Sequence, residues 1–281
     1  MIGRRSVILG MGAGAVGGAL AASSVASAQE APAAGSTLDT VLASKKLRIS
    51  TIVGAEPYFR KSAVDDTWSG AGIEMGKSIA EALGVELEYV ETTYANAIIE
   101  LKSGRIDIAF SLNPTPARAL SIGFTNPYYN HPYVFLAKEG FTGKTWADIN
   151  REDARVTASA GTLPDTLVRR YAPKAQLVTT KTIDEGVLAV QTGRADAIIT
   201  AALQGLAIKA KNPLFSQVVV PAAPRIALPT CLGVRPEIDP RWVNFLNSWI
   251  AMNRATGQIM EWIAVELEKG GISRDEIPQD A

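Results

Sequence analysis

The sequence predicts an α/β protein built from two βαβ lobes, on three observations. Short apolar runs suited to buried strands alternate with segments of helical apolar spacing from about residue 38 to residue 269, the pattern of parallel-sheet units. Nine residues, Leu101-Lys102-Ser103-Gly104-Arg105-Ile106-Asp107-Ile108-Ala109, return as Val190-Gln191-Thr192-Gly193-Arg194-Ala195-Asp196-Ala197-Ile198. Both copies close a helix on glycine and enter a buried strand, so one joint is used twice. Each half also has a threonine-led helix start after a strand, at Thr115 and at Thr162. A helix start at the carboxyl end of a parallel strand gathers free N–H groups and a positive dipole end, which suits an anion.

The elements follow in order. Leu38 to Ala43 is a short helix, and Lys46 to Val53 the first strand, with Gly54 to Phe59 as the loop at its carboxyl end. Thr67 to Gly70 is a turn; Ile73 to Leu83 has helical spacing and stops at Gly84. Val85 to Val90 alternates as a strand, Tyr94 to Leu101 is a helix, and Ile106 to Phe110 a buried strand. Thr125 to Tyr129 is an aromatic loop before a strand at Tyr133 to Ala137. Trp146 to Arg155 reads as polar connection, and a new strand starts at Arg155 and ends at Ser159. Thr162 and Asp165 have capping-box spacing at the head of a helix to Tyr171. Strands at Gln176–Thr179, Ala195–Thr200 and Val218–Val220 alternate with helices at Ile183–Gln191 and Ala202–Lys211. Ala227 to Val234 is apolar and extended, and Pro240–Thr256 and Gly257–Lys269 are closing helices.

The first residues read as an address. Arg4-Arg5 precede a small, apolar run to about Val25, and Ala26-Ser27-Ala28 is an A-x-A cleavage signal. Residues 1–28 therefore read as a twin-arginine-like signal peptide, cut after about Ala28. Residues 29–37, rich in Ala, Pro, Gly and Ser, read as a disordered leader. No cysteine lies near the cut, and no later run is long and apolar enough to span a bilayer. A soluble periplasmic protein is expected.

Composition narrows the chemistry. The 281 residues carry 28 Lys and Arg against 28 Asp and Glu, with no basic run, which argues against nucleic acid as a partner. The single cysteine, Cys231, excludes an intrachain disulfide and sits in an apolar run as a buried, inert thiol. The single histidine, His131, makes a histidine-built metal site improbable and reads as a loop residue between Asn130 and Pro132. No cofactor or metal is expected. Trp242, Phe245, Trp249 and Trp262 fall on helix faces and read as core.

The chain is organised around Ser111-Leu112-Asn113-Pro114-Thr115-Pro116-Ala117-Arg118. Thr115 before Pro116 is a helix cap followed by a favoured first residue. Arg118 falls in the first turn, where its planar fork can grip a carboxylate beside the free N–H groups. Tyr58, Phe59 and Trp68, near strand ends, are candidates for lining a ligand site, and Tyr128 and Tyr129 are expected to pack.

From Leu38 to about Gly270 the chain resembles the extracytoplasmic solute-binding proteins of the polar amino-acid type (family 3), which share a fold with ionotropic glutamate receptor ligand cores. The resemblance rests on an ordered set: Leu47-Arg48-Ile49, Glu56-Pro57-Tyr58-Phe59, Trp68-Ser69-Gly70, Thr92-Thr93-Tyr94, the two Gly-Arg-x-Asp joints, Ser111 to Arg118, Phe124 to Tyr129, and Gly161-Thr162. It implies a periplasmic binding protein-like fold, two lobes joined by a two-segment hinge with the ligand cleft between them. Lobe 1 would be residues 38–137 plus 228–281, and lobe 2 residues 138–227. It further implies that Arg118 grips a ligand carboxylate, that Ser111 and Asn113 bind the ligand backbone, that Tyr94 packs on its side chain, and that Gly161 and Thr162 donate to the same carboxylate. One departure stands out: Ala201 occupies a position where such proteins place an acid for the ligand's α-ammonium. Either Glu56 or Asp165 substitutes, or the ligand has no α-amine. The expected role is the substrate-binding component of an ABC importer: monomeric, non-enzymatic, binding a small carboxylate-bearing solute by cleft closure and handing it to a membrane permease. A periplasmic dehydratase on the same fold, or a sensing module with a separate partner, are the alternatives.

Overall fold

The computed structural model describes residues 35–278. The expected signal peptide and most of the leader lie outside the described residues. Thr37, read as the end of the leader, instead opens a helix, α1 (Thr37–Ser44), and is buried. Its backbone N–H and hydroxyl both donate to Glu237, at 2.9 and 2.7 Å.

In the first half, β1 (Lys46–Thr51) is followed by a short ladder of β2 (Arg60–Lys61) with β3 (Trp68–Ser69). Then come α2 (Ala71–Leu83), β4 (Glu86–Glu91), α3 (Tyr94–Lys102), β5 (Ala109–Leu112), α4 (Pro116–Ala119), β6 (Gly123–Phe124) and the long β7 (Tyr129–Lys138). The second half runs α5 (Trp146–Ile149), β8 (Arg155–Ser159), α6 (Leu163–Tyr171), β9 (Gln176–Thr180), α7 (Ile183–Gln191), β10 (Ala197–Ala201), α8 (Ala202–Lys211), β11 (Phe215–Val219) and β12 (Ala227–Val234). Helices α9 (Arg241–Ala255) and α10 (Gln258–Lys269) close the chain, with a 3₁₀ turn at Arg274–Glu276.

The protein is α/β with two lobes. In one, β1 pairs in parallel with β4 from Lys46↔Glu86 to Thr51↔Glu91, and Ile49 bridges Ile108 just before β5. In the other, β9, β8, β10 and β7 lie side by side, with β11 on the outer half of β7. Two strands cross between lobes. The first part of β7 pairs antiparallel with β12, from Thr230↔Tyr129 to Ala227↔Pro132; its remainder pairs with β10. The later part of β12 pairs with β5 and β6. Of the four residue pairs between β7 and β12, two include a proline, Pro132 or Pro229, at the non-hydrogen-bonded positions where the ladder needs no N–H.

Each lobe has its own core. Leu47, Ile49, Ile73, Met75, Phe110 and Trp242 are fully buried in one; Phe135, Trp146, Val156 and Ala197 are in the other. Cys231, Trp242 and Trp249 are buried as expected, and Phe245 and Trp262 pack against the first core.

The repeated joint is the same physical device twice. In the first copy Thr93 caps α3 by accepting from the Asn96 N–H, and Gly104 takes φ +70°. In the second Thr182 caps α7 by accepting from the Glu185 N–H, and Gly193 takes φ +73°. Positive φ at the end of the helix is where glycine costs least. The aspartate that follows accepts two hydrogen bonds from an arginine on the neighbouring strand. Arg48 grips Asp107 at 3.0 and 2.6 Å, and Arg155 grips Asp196 at 3.1 and 2.9 Å. Both aspartate N–H groups also donate to the same arginine's carbonyl, at 2.8 Å.

Four expectations change. The strand expected at Ile106–Phe110 runs instead as β5, Ala109–Leu112, with residues 107 and 108 bonded to β1 through Arg48 and Ser50 just before it. The polar connection from Trp146 contains α5, capped by a complete Thr145–Asp148 box, with Trp146 buried. His131 is not in a loop but is the third of the ten residues of β7, and Tyr129 opens that strand rather than ending a loop. The box expected at Thr162 and Asp165 does not form: the Thr162 hydroxyl donates to the Ser159 carbonyl at 2.6 Å, and Asp165 accepts from the Gly161 N–H at 3.2 Å.

Candidate functional site

The cleft lies between the lobes, with about 830 Å³ of atom-free space, its open mouth included. Seven of the eight residues picked from sequence line it: Glu56, Tyr58, Tyr94, Ser111, Asn113, Arg118 and Thr162. The eighth, Gly161, is at its edge, where its carbonyl accepts from Arg118 Nη2 at 3.3 Å.

Arg118 is placed by local chemistry. The Thr115 hydroxyl accepts from the Arg118 N–H at 3.3 Å and Pro116 opens the single turn of α4, as the sequence implies. The guanidinium then reaches back, donating through Nη1 to the Asn113 carbonyl at 3.2 Å. Its partners are main-chain carbonyls, and burial lowers its pKa below the usual guanidinium value. A cation held this way is poised for an anion that can replace those carbonyls.

Ser111 has φ 58°, in the left-handed region, which costs a residue with a side chain of the order of 1–2 kcal/mol. The Tyr128 hydroxyl holds it there, within 3.2 Å of both the Ser111 N–H and hydroxyl. Asn113 is committed on both sides of its amide: Nδ2 donates to the Pro229 carbonyl at 2.9 Å, and Oδ1 accepts from the Tyr133 hydroxyl at 3.0 Å. Asn113 thus ties the Arg118 loop to both crossing strands.

An aromatic wall forms the apolar face. Tyr58, Tyr94 and Tyr133 line it; burial raises all three hydroxyl pKa values, that of Tyr94 to about 12, so all stay neutral donors. Behind them the Tyr58 hydroxyl meets His131 Nε2 at 3.0 Å. Burial pushes the His131 pKa down to about 3, leaving a neutral imidazole in the wall. On the facing lobe Thr157, Ser159, Thr180, Thr200 and Gln204 add hydroxyls and an amide.

Tyr128 is buried as expected, its bond to Ser111 being the part the sequence did not show, and sequence reasoning missed Tyr133, His131 and these lobe 2 residues as cleft lining. Their roles depend on which strands cross between lobes, which no local pattern encodes. Glu56 also differs from the ammonium partner considered for it: it pairs with Lys211 across the cleft and with Arg60 at 3.4 Å. Asp165, the other acid considered, bonds to Gly161 N–H and to Arg169 at 2.7 Å.

Bacterial extracellular solute-binding proteins, family 3, match residues 47–264 of the chain. A probable histidine-binding protein of Campylobacter jejuni is 30% identical over 169 residues, covering 59% of this chain and 64% of that protein. An L-arginine-binding protein of Pseudomonas aeruginosa is 31% identical over 171 residues, covering 58% of this chain and 63% of that protein. The matches thus span a little under two thirds of these relatives' length. Among solved structures, the ancestral amino acid-binding protein AncCDT-1, described as a precursor of cyclohexadienyl dehydratase, superposes with a TM-score of 0.72 at 28% identity, covering 82% of this chain and all of that one.

Proposed function

Because the chain belongs to family 3 of the bacterial extracellular solute-binding proteins, we propose that it is the periplasmic binding component of an ABC importer. Its cleft closes on a small carboxylate-bearing solute, an amino acid or a related compound, and presents it to a membrane permease. Residues 1–28 direct export by the twin-arginine route and are cut after about Ala28. Lobe 1 comprises residues 38–137 with 228–281, lobe 2 residues 138–227, and the mature chain acts as a monomer.

The observation that carries this reading is Arg118, a half-buried guanidinium bonded to the Asn113 carbonyl of its own loop and the Gly161 carbonyl across the cleft rather than to an acid. A ligand carboxylate can take two parallel N–H···O bonds from it. Ser111, Asn113, Thr162 and the Gly161 edge orient the rest, and Tyr58 and Tyr94 enclose the tail. Closure follows from contacts the ligand makes to both lobes at once, which favour the closed form. Calorimetry of the mature chain against amino acids, 2-oxo acids and other small carboxylates tests it. Equal affinity of wild type and Arg118→Ala for the best ligand would refute the site.

The likeness to a dehydratase precursor supports a second reading, an enzyme on the same scaffold. It needs an acid or base in the cleft. Glu56 is the carboxylate among the described lining residues and carries two cations. Recovery of a prephenate-like compound intact after long incubation would discard the enzymatic reading.

A further inference from the structure

Charge around the cleft restricts the ligand beyond what family membership implies. Arg118 directs its hydrogen bonds to two main-chain carbonyls, leaving its positive charge without a carboxylate. Glu56 is the one carboxylate among the described lining residues, and both Lys211 and Arg60 sit on its Oε1. Lys211 and Arg60 therefore neutralise Glu56 before a ligand enters, and Arg60 also faces the buried Glu266 at 3.9 Å. The lobe 2 wall is neutral: the Thr200 hydroxyl donates to Gln204 Oε1, and Thr157 spends its proton on the Val178 carbonyl at 2.7 Å. Ala201, between Thr200 and α8, brings no polar side chain. The tyrosines behind are neutral donors.

A carboxylate entering this cleft finds its counter-charge in Arg118, and an ammonium finds no carboxylate free of a cation among the described lining residues. Burying an uncompensated ammonium is costly, and neighbouring cations repel it. With Gln204 Oε1 engaged, its Nε2 remains as a donor for a carbonyl or hydroxyl oxygen, while the Thr157 and Thr200 oxygens, their protons spent, can only accept, as from a ligand hydroxyl.

We propose that the solute is an anion without an ammonium group: a 2-oxo, 2-hydroxy or simple carboxylic acid whose neutral tail packs on Tyr58, Tyr94 and Tyr133. Free amino acids, and cationic ones above all, are excluded. The inference rests on the reading of the cleft as a carboxylate site and narrows it.

The test is calorimetry on the mature chain, freed of carried-over ligand, with matched pairs: phenylpyruvate against phenylalanine, 4-methyl-2-oxopentanoate against leucine, and arginine alone. The expected result is a 2-oxo acid bound at least about 10-fold tighter than its amino acid, with no arginine binding at about 1 mM. Ala201→Asp, checked for folding by its melting curve, should narrow or reverse that preference by placing a carboxylate in the wall. An amino acid binding as tightly as its 2-oxo acid in the wild type overturns the inference; if Arg118→Ala still abolishes that binding, the carboxylate reading survives. No binding by any carboxylate of the set overturns both.

Discussion

Arg118 and Gly161 touch across the cleft: the arginine's Nη2 donates to the glycine's carbonyl at 3.3 Å, linking α4 of one lobe to the loop before α6 of the other. The Gly161 N–H is meanwhile turned to Asp165. A bound carboxylate would take over the arginine and compete with Asp165 for the amide, replacing a direct lobe-to-lobe contact with one through the ligand.

Arg118→Ala is therefore expected to weaken binding by about 10- to 100-fold, the range of a charged hydrogen-bonded contact worth about 1.5–3 kcal/mol. Arg118→Lys keeps the charge but loses the fork and should fall between. Titration calorimetry with the best-binding carboxylate reads both.

His131 should make the fold sensitive to mild acid. Its folded pKa is about 3 because of burial, against about 6.5 in the unfolded chain. Between those values the unfolded chain binds more protons, so this contribution is fully present above pH 6.5 and declines as pH falls toward 3. From pH 6.5 to pH 5 it amounts to about 1.5 kcal/mol by linkage. Urea unfolding of wild type and His131→Asn across that range should show a shallower pH slope in the variant.

The twin arginine–aspartate clamps should differ in strength. Asp107 has a side-chain exposure of 3%, whereas Asp196 has 24% and is shared between Lys138 and Arg155. Asp107→Asn leaves Arg48 without its charge partner beside a buried position and should cost about 3 kcal/mol. Asp196→Asn, partly screened by solvent, should cost about 1 kcal/mol. Burial alone would raise the Asp196 pKa, but Lys138 and Arg155 outweigh it and lower it. Its share of stability is thus present above about pH 3.8 and is lost as pH falls through the depressed value. Melting temperatures at pH 7 rank the two variants.

Gly70→Ala should damage the cleft from behind. Gly70 has φ +126°, and a Cβ there would lie 2.3 Å from the Tyr58 carbonyl oxygen. Backbone must move, carrying Tyr58 with it, at a cost of at least about 2 kcal/mol. Lower denaturation midpoints together with weaker ligand binding would be the signature.

The Lys211–Glu56 pair joins α8 to the loop after β1. Lys211 is half exposed, so Lys211→Ala should change affinity by no more than about 1 kcal/mol, and the difference should shrink in about 1 M salt.

What the sequence revealed and what it hid follow from the range of the forces. Thr115-Pro116 and the two Gly-Arg-x-Asp joints are local devices, settled by residues three or four apart, and they stand where the pattern puts them. The fold class follows from the same alternation. Thr162 and Asp165 show the limit of such reasoning: the spacing was right, but the Ser159 carbonyl and Gly161 N–H offered closer partners. The bonds of Tyr128, Tyr133 and His131 were illegible because their partners, Ser111, Asn113 and Tyr58, arrive from 17 to 73 residues away. Trp146 in a polar stretch hid a capped turn whose reason is a ring packed on Phe135, 5.1 Å between centroids.

The prolines where β7 meets β12 leave the seam intact. The Tyr133 N–H donates to the Ile226 carbonyl, so Pro132 and Pro229 fall at the non-hydrogen-bonded pairs between rungs, and the Pro229 carbonyl faces outward to Asn113 at 2.9 Å. Their missing N–H groups point away from the partner strand, so no rung is lost and the outer edges offer no donor there to a further strand. The crossing is closed to intruding chains without weakening the join between the halves.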